Sequence, residues 1–142
     1  MLVKQISVSL DNVPGMLLSV SECLGSEGIN IRAISVADTS DISTVRFVSD
    51  DPEKTIHVLK STGYSVKETL AIAVEVSDHP GGLQAVLKPL KESGTNVLYL
   101  YPFLGRGESG QPITIVGVDK TEETLALIKK WVHTFGDDIY AL

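Results

Sequence analysis

Two copies of one pattern make up the sequence, and this internal repeat constrains the fold more than any other feature. When the chain is shifted against itself by 66 positions, ten apolar, glycine, proline and asparagine positions of one half coincide with similar positions of the other. In the first half these are Ile6, Val8, Leu10, Pro14, Gly15, Leu17, Val20, Leu24, Gly28 and Asn30. Their counterparts are Ile72, Val74, Val76, Pro80, Gly81, Leu83, Val86, Leu90, Gly94 and Asn96. A repeated pattern predicts a repeated structural unit.

Each copy predicts the element order βαββαβ. Apolar residues alternate over 6–10, which predicts a half-buried strand, and recur at helical spacing over 17–24. Residues 31–37 and 42–48 form a predicted hairpin, Asp51 and Pro52 start a second helix through about residue 60, and residues 64–70 return as a strand. In the second copy we expect helices over 80–93 and 120–133, the latter led by a capping box that begins at Asp119.

This order predicts an α+β fold with two ferredoxin-like βαββαβ units, each an antiparallel four-stranded sheet with both helices on one face. The units are predicted to cover residues 1–70 and 71–142, with no linker between Leu70 and Ala71. After the second strand the repeat needs an offset of about 70, which aligns Val45 and Val48 with Ile115 and Val118. The extra residues are absorbed by GRGESG, 105–110, which we interpret as a mobile hairpin tip with Arg106 as a candidate lid contact.

The sheet face without helices is predicted to differ between the copies. In the first copy it carries small or polar residues: Gln5, Ser7, Ser9, Ala33 and Ser35. In the second copy Tyr99, Tyr101 and Phe103 form an aromatic row on one strand, and such a row needs a cover. This row is either core, packed against another sheet or a second subunit, or a surface that binds a ligand or partner. We expect a homodimer to cover it.

Composition excludes several function classes. The hydrophobic content of 43% with 21% charged residues is typical of a folded soluble protein, and we expect a cytoplasmic protein with no membrane span. The net charge of −6 and the scattered lysines and arginines argue against a nucleic-acid partner. Cys23 is the single cysteine, so the chain cannot form an internal disulfide.

Two matching turns are the candidate binding features. Residues 11–15 read DNVPG and residues 78–82 read DHPGG, each between a strand and a helix. With proline at the first helical position and glycine beside it, such a turn presents free N–H groups and a partial positive charge, which suit a carboxylate. The Asn12 carboxamide can address a carboxylate or an ammonium group, whereas Asp78 favours an ammonium group. The alternative is that both side chains only hydrogen-bond the turn backbone.

The stretch ISVSLDNVPGMLLSVSECLGSEGINIRAISVADT resembles the first half of an ACT domain, a regulatory module attached to many amino-acid biosynthetic enzymes. The stretch VEVSDHPGGLQAVLKPLKESGTNVLYLY repeats this resemblance, so it covers nearly the whole chain. The resemblance implies that modules pair side by side and bind amino acids between them. The implied ligand-binding residues are Asn12, Val13, Gly15 and Asn30 in the first copy, and Asp78, His79, Gly81 and Asn96 in the second.

No catalytic set is evident, and we expect no enzyme activity, cofactor or metal. His57, His79 and His133 lack the spacing of a metal site or a nucleophile partner. We interpret His57 and His133 as surface residues, whereas His79 is either a turn residue or a group that reads the ligand side chain.

The predicted function is a stand-alone tandem ACT protein that binds a free amino acid and reports it to a partner by contact. The first alternative is a trans-acting regulatory subunit of a biosynthetic enzyme, such as the acetolactate synthase small subunit. Others are an enzyme that uses the cleft between the copies, and an RNA-binding sheet that uses the aromatic row. The sequence leaves open which amino acid binds, whether both sites are competent, which partner is regulated and the oligomeric state.

Overall fold

The computed structural model describes residues 2–128, and within this range the chain divides into two compact units. The first unit comprises residues 4–69, and the second comprises residues 2–3 and 70–128. The predicted domain limits of 1–70 and 71–142 stay a prediction. Strand β4 runs from Ser65–Glu75 without a break, so no linker separates residues 70 and 71.

The first unit contains an antiparallel arrangement of strands with two helices. Its elements are β1 (Leu2–Asp11), α1 (Met16–Ser26), β2 (Ile31–Asp38), β3 (Ile42–Ser49) and α2 (Pro52–Ser61), followed by the first half of β4. Strand β3 pairs with β1 on one side and with β2 on the other, so that Phe47 lies opposite both Ile6 and Ile34. Helix α2 begins as predicted, because the Asp51 carboxylate accepts from the Lys54 amide and Pro52 takes the first helical position.

The second unit repeats this order. The last part of β4 pairs with β6 (Pro112–Val118), and β6 pairs with β5 (Val97–Arg106). Helix α3 (Gly82–Glu92) connects β4 to β5, and α4 (Thr121–Ile128) follows β6. The predicted last strand of the second copy and the end of its last helix lie outside the described residues.

Matching positions of the repeat form the two hydrophobic cores. Ile6, Val8, Val20 and Leu24 are buried in the first core, and their counterparts at a distance of 66 residues, Ile72, Val74, Val86 and Leu90, are buried in the second. The helical and strand periodicities therefore predicted which side chains face the helices. The α+β content of the prediction is confirmed, with four helices and six strands in residues 2–128.

The observed pairings account for three of the four strands that we predicted in the sheet of each unit. The registers above join three strands in each unit, β1, β3 and β2 or β4, β6 and β5. In the first unit a hydrogen bond of 3.1 Å from Gln5 Nε2 to Thr69 Oγ1 links β1 to the first half of β4, where a fourth strand is expected. Two complete ferredoxin-like sheets stay a prediction.

The offset of about 70 in the second half of the repeat was wrong by one residue. Ile6 pairs with Phe47 and Ile72 pairs with Val116, so β3 and β6 correspond at a distance of 69 residues. A slip of one residue moves every side chain of a strand to the opposite face. Val45, for example, packs in the helix-facing core and corresponds to Thr114 rather than to Ile115.

The aromatic row is covered within the single chain. Tyr101 and Phe103 are buried, at 4% and 6% exposure, and the rings of Tyr99 and Tyr101 stack with centroids 6.3 Å apart. Of the covers that we predicted for this row, the homodimer is therefore wrong for Tyr101 and Phe103, which are buried without a second subunit. Tyr99 is half-buried, and its ring lies over Gly117, where a Cβ atom would overlap with it.

Candidate functional site

The first candidate turn places a left-handed glycine directly before α1. Gly15 has φ 89° and ψ −10° and is the residue before the first helical residue, Met16. A Cβ atom at Gly15 would meet no other atom within 4 Å, so the backbone conformation rather than crowding favours glycine. Pro14 therefore lies two residues before the first helical residue, and our prediction that it occupies the first helical position was wrong.

The second candidate turn has the same backbone. Gly81 has φ 87° and ψ −6° and precedes α3, which begins at Gly82 rather than at Pro80. The residue after the turn differs between the copies, because Gly82 packs so closely on the Ser77 carbonyl group that a Cβ atom would overlap with it. Its counterpart Met16 instead packs against the first hydrophobic core.

Both helix N-termini at these turns lack a side-chain cap. In the described structure no side chain accepts a hydrogen bond at the start of α1 or α3, and neither helix has an acidic residue in its first turn. Helix α2 differs, since Asp51 caps it and Glu53 lies in its first turn. No side chain of α1 or α3 compensates the partial positive charge there, and the first helical amides bond within their turns, Met16 to the Val13 carbonyl oxygen at 3.5 Å and Gly82 to that of His79 at 3.0 Å.

Asn12 and Val13 lie on the exposed side of the first turn. The Asn12 amide donates to the Asp41 carbonyl oxygen at 2.9 Å, and Asn12 Nδ2 lies 3.4 Å from the Thr39 carbonyl oxygen. The second contact is long for a hydrogen bond, so it holds the carboxamide weakly. Val13 is 56% exposed. These contacts fix the turn to the β2–β3 hairpin and orient the Asn12 side chain at the surface.

Asp78 and His79 occupy the equivalent place in the second turn, and both are exposed. The Asp78 amide donates to Gln111 Oε1 at 3.2 Å, so a side chain replaces the backbone acceptor of the first copy. His79 Nδ1 lies 2.9 Å from the Pro80 carbonyl oxygen, and the His79 amide donates to the Ser77 carbonyl oxygen at 3.0 Å. The imidazole is therefore engaged by its own turn.

Asn30 and Asn96 share a contact that the sequence did not reveal. The Asn30 amide donates to Asp50 Oδ1 at 3.0 Å, and the Asp50 amide donates back to the Asn30 carbonyl oxygen at 3.1 Å. Asn96 and Asp119 repeat this pair at 3.1 Å and 3.2 Å. Asp119 was predicted to begin a capping box, but this carboxylate contact engages Asn96, and α4 begins at Thr121.

The two halves of each predicted site lie far apart within one unit. Asn12 contacts the hairpin after β2, whereas Asn30 precedes β2, and eight extended residues span about 26 Å. A pocket that contains a turn and an Asn30-type residue therefore cannot form from a single copy. The predicted pairings of Asn12 with Asn96 and of Asp78 with Asn30 stay predictions.

Comparison with known proteins decides the family. The family model described as an ACT domain pair matches residues 1–138. The chain belongs to the ACT domain pair family. The resemblance predicted from the two turns is thereby confirmed, and the ACT pair is a regulatory module rather than a catalytic one.

Solved structures share the fold of this ACT domain pair. Protein BT0572 from Bacteroides thetaiotaomicron is 28% identical, with a TM-score of 0.83 over 92% of this chain and 88% of that chain. The ligand-free regulatory subunit of aspartate kinase from Thermus thermophilus is 15% identical, with a TM-score of 0.63 over 92% of each chain. The corresponding subunit from Thermus flavus is 15% identical, with a TM-score of 0.59 over 89% of this chain and 90% of that chain. The comparison with curated proteins gives no match.

The histidines and the other residue types that bind metals form no metal site in the part of the chain described. No cluster of three or more His, Cys, Asp or Glu side chains is placed to hold a metal ion in residues 2–128. His57 is exposed on α2, as predicted, and His133 lies outside the described range. Over the same residues, none of the helices combines the length and the apolar character that a membrane crossing requires.

Proposed function

We propose that this ACT pair is a regulatory protein that binds a free amino acid at its two glycine turns. The observation that carries the proposal is the duplication of one unusual backbone. Gly15 and Gly81 both adopt a left-handed conformation before a helix whose N-terminus has no side-chain cap. Conformations of this kind cost free energy in most residues, so finding two at matching positions favours a common role at the turns.

The chemistry of an amino acid suits these turns. The N–H groups at the start of α1 and α3 attract a carboxylate, and the helix dipole adds to this attraction. The carboxamide oxygen of Asn12 is an acceptor for the ligand's ammonium group, and the Asp78 carboxylate is a stronger one. The two sites are therefore expected to be related but unequal, with Asp78 adding a negative charge to the second.

A complete site requires a second copy of the module. We propose that Asn12 lies beside Asn96, and Asp78 beside Asn30, when ACT modules pair. This pairing accounts for the separation of about 26 Å between the two candidate positions within one unit. Val13 and His79 are then the residues that meet the ligand side chain, and Gly15 and Gly81 provide the close backbone approach.

A homodimer is the expected assembly. Leu98, Leu100 and Leu104 on β5 are exposed, with Leu104 at 69%, and such an apolar row on one strand is typical of a contact surface. This row replaces the aromatic row as the support for a dimer, because Tyr101 and Phe103 are already buried in one chain.

The output of binding is contact with a partner protein, and the chain itself has no proposed enzyme activity or cofactor. The similar fold of aspartate kinase regulatory subunits favours a biosynthetic enzyme as this partner, which keeps the acetolactate-synthase-type regulatory subunit as an alternative. Burial of Tyr101 and Phe103 argues against an RNA-binding sheet, since base stacking needs exposed rings.

A thermal-shift screen against each common amino acid tests the proposal. A ligand at about 100 times its Kd stabilises a protein by about 2.7 kcal/mol. For a chain of this size the expected rise in Tm is about 5 to 10 °C. One or a few amino acids should produce this rise and the others should not. If none does at millimolar concentration, the proposed function is wrong.

A further inference from the structure

The hairpin tip of the second copy, residues 105–110, which contains the insertion, is held down by a carboxylate from β4. The Ser109 amide donates to Glu75 Oε1 at 3.1 Å, and the Ser109 hydroxyl group donates to Glu75 Oε2. Gly107 packs directly on this carboxylate, and any Cβ atom there would overlap with it. The hairpin tip, predicted to be mobile, is thus tied to the body of the second unit.

Further bonds close the tip on itself. Arg106 Nη1 donates to the Gly110 carbonyl oxygen at 2.9 Å, which gives this side chain a role within the hairpin rather than the lid contact we predicted. The Gly110 amide donates to the Gly107 carbonyl oxygen, and the Gly107 amide to the Gln111 carbonyl oxygen, both at 2.9 Å. The tip is therefore hydrogen-bonded both to itself and to Gln111.

Gln111 connects the tip to the second candidate turn. Its side-chain oxygen accepts from the Asp78 amide at 3.2 Å, and the neighbouring Pro112 carbonyl oxygen accepts from Val76 at 2.9 Å. A continuous set of contacts thus leads from Glu75 through Ser109 and Gln111 to Asp78. The first copy has no equivalent, because the counterpart of Glu75 is Ser9 and the counterpart of the Asp78 contact is a backbone bond from Asn12 to Asp41.

We infer that Glu75 is a positioning residue for the second turn, residues 78–82. Its carboxylate fixes the hairpin tip, and the tip fixes the backbone of the turn through Gln111. The ligand affinity of the second turn then depends on Glu75, and that of the first turn does not. This last consequence rests on the proposed function, whereas the positioning of the turn does not.

Glu75→Gln tests the inference with little change in size, because it removes the negative charge and one of the two acceptor oxygens, so the Ser109 amide and hydroxyl group can no longer both donate to this side chain. Glu108→Gln is the matched control, since it removes the same charge from the tip itself, and the exposed Glu108 side chain makes none of the contacts that hold the tip to β4. In ligand-free protein we expect amide hydrogen exchange at residues 107–110 to become about tenfold faster in Glu75→Gln. The Gly81 amide resonance should move, and the Gly15 resonance should not.

Ser109→Ala serves as a second variant that removes the hydroxyl contact from the other side. Unchanged exchange and an unchanged Gly81 resonance in both Glu75→Gln and Ser109→Ala would overturn the inference. Equal effects in Glu108→Gln would also overturn it, because they would show a general charge effect.

A second experiment measures ligand binding at each turn. The amino acid that raises the Tm is titrated into the protein while the Gly15 and Gly81 amide resonances are followed. Glu75→Gln should weaken the Kd reported by Gly81 about tenfold and leave that reported by Gly15 unchanged. Equal weakening at both glycines, or none at either, contradicts a role specific to the second turn. If no amino acid binds the wild type, the proposed function fails, and the ligand-free measurements still decide whether Glu75 positions the turn.

Discussion

Asn30 and Asp50 exchange two hydrogen bonds, one through the Asp50 carboxylate at 3.0 Å and one between the backbones at 3.1 Å. Asn96 and Asp119 repeat the exchange in the second copy. The contact joins the end of β3 or β6 to the residue before β2 or β5. The pair therefore fixes the backbone of the asparagine and leaves its carboxamide outside these bonds.

Replacement of Asp50 or Asp119 by alanine is predicted to destabilise each copy by a similar amount. A hydrogen bond from a backbone amide to an exposed carboxylate contributes about 1 to 2 kcal/mol. Urea denaturation measures the loss. The surface variant Glu92→Ala is the control and should stay within about 0.5 kcal/mol of wild type. A loss in one copy but not in the other would show that the two pairs are not equivalent.

Gly15, directly before helix α1, and Gly25, within it, should respond to alanine in opposite directions. Gly15→Ala places a Cβ atom at φ 89°, which costs about 1 to 2 kcal/mol. Gly25 lies inside the helix with open space around it, so Gly25→Ala should stabilise by about 0.5 to 1 kcal/mol. Chemical denaturation of both variants tests the assignment of the turn. Changes of the same sign would mean that Gly15 is not held in the left-handed conformation.

The contact of Tyr99 with Gly117 should appear as an energetic coupling. The corresponding pair of the first copy is Ala33 with Val48, so the copies exchange the large and the small residue. Gly117→Val alone should cost about 1 to 3 kcal/mol, because its side chain overlaps with the ring.

The double variant Tyr99→Ala with Gly117→Val should cost less than the sum of the single changes, by about 1 to 3 kcal/mol. Tyr99→Ala combined with Gly25→Ala provides the control and should be additive within about 0.5 kcal/mol. Additivity in the first pair would show that Tyr99 does not lie on Gly117.

Tyr101→Lys is predicted to destabilise the single chain rather than an assembly. Tyr101 is 4% exposed, so the lysine must bury its ammonium group or displace the strand, at a cost of about 3 kcal/mol or more. Glu92→Lys, which introduces the same side chain at an exposed position of α3, should stay within about 0.5 kcal/mol. Denaturation at two protein concentrations distinguishes the cases. If the loss of stability in Tyr101→Lys disappears at high protein concentration, the aromatic row lies in a subunit interface after all.

The order of elements and the cores could be predicted because the repeat carries strong local signals. Ile6 and Val8 alternate as a strand requires, and Val20 and Leu24 have helical spacing. The register of β6 could not be predicted in the same way. Ile113 and Ile115 are buried on one face and Val116 and Val118 on the other, so both faces are apolar and alternation cannot fix the register.

The glycine turns could be located from their sequence, and their detailed roles could not. The prediction placed Pro14 two residues too far into the helix, because the sequence alone does not determine that Gly15 is left-handed and precedes the helix. The contact of Glu75 with Ser109 joins residues 34 positions apart, and no local pattern predicts it. The burial of Tyr101 likewise depends on the tertiary fold, which no local pattern predicts.

Calorimetric titration of Asn12→Ala and Asn96→Ala tests most directly whether the first turn and Asn96 together bind an amino acid. The ligand is the amino acid that raises the Tm of the wild type. Each variant should lose one of two binding events while its ligand-free stability stays within about 1 kcal/mol of wild type, since at most one weak turn hydrogen bond is lost. Titrations of both variants that match the wild type in number of sites and Kd would contradict the claim.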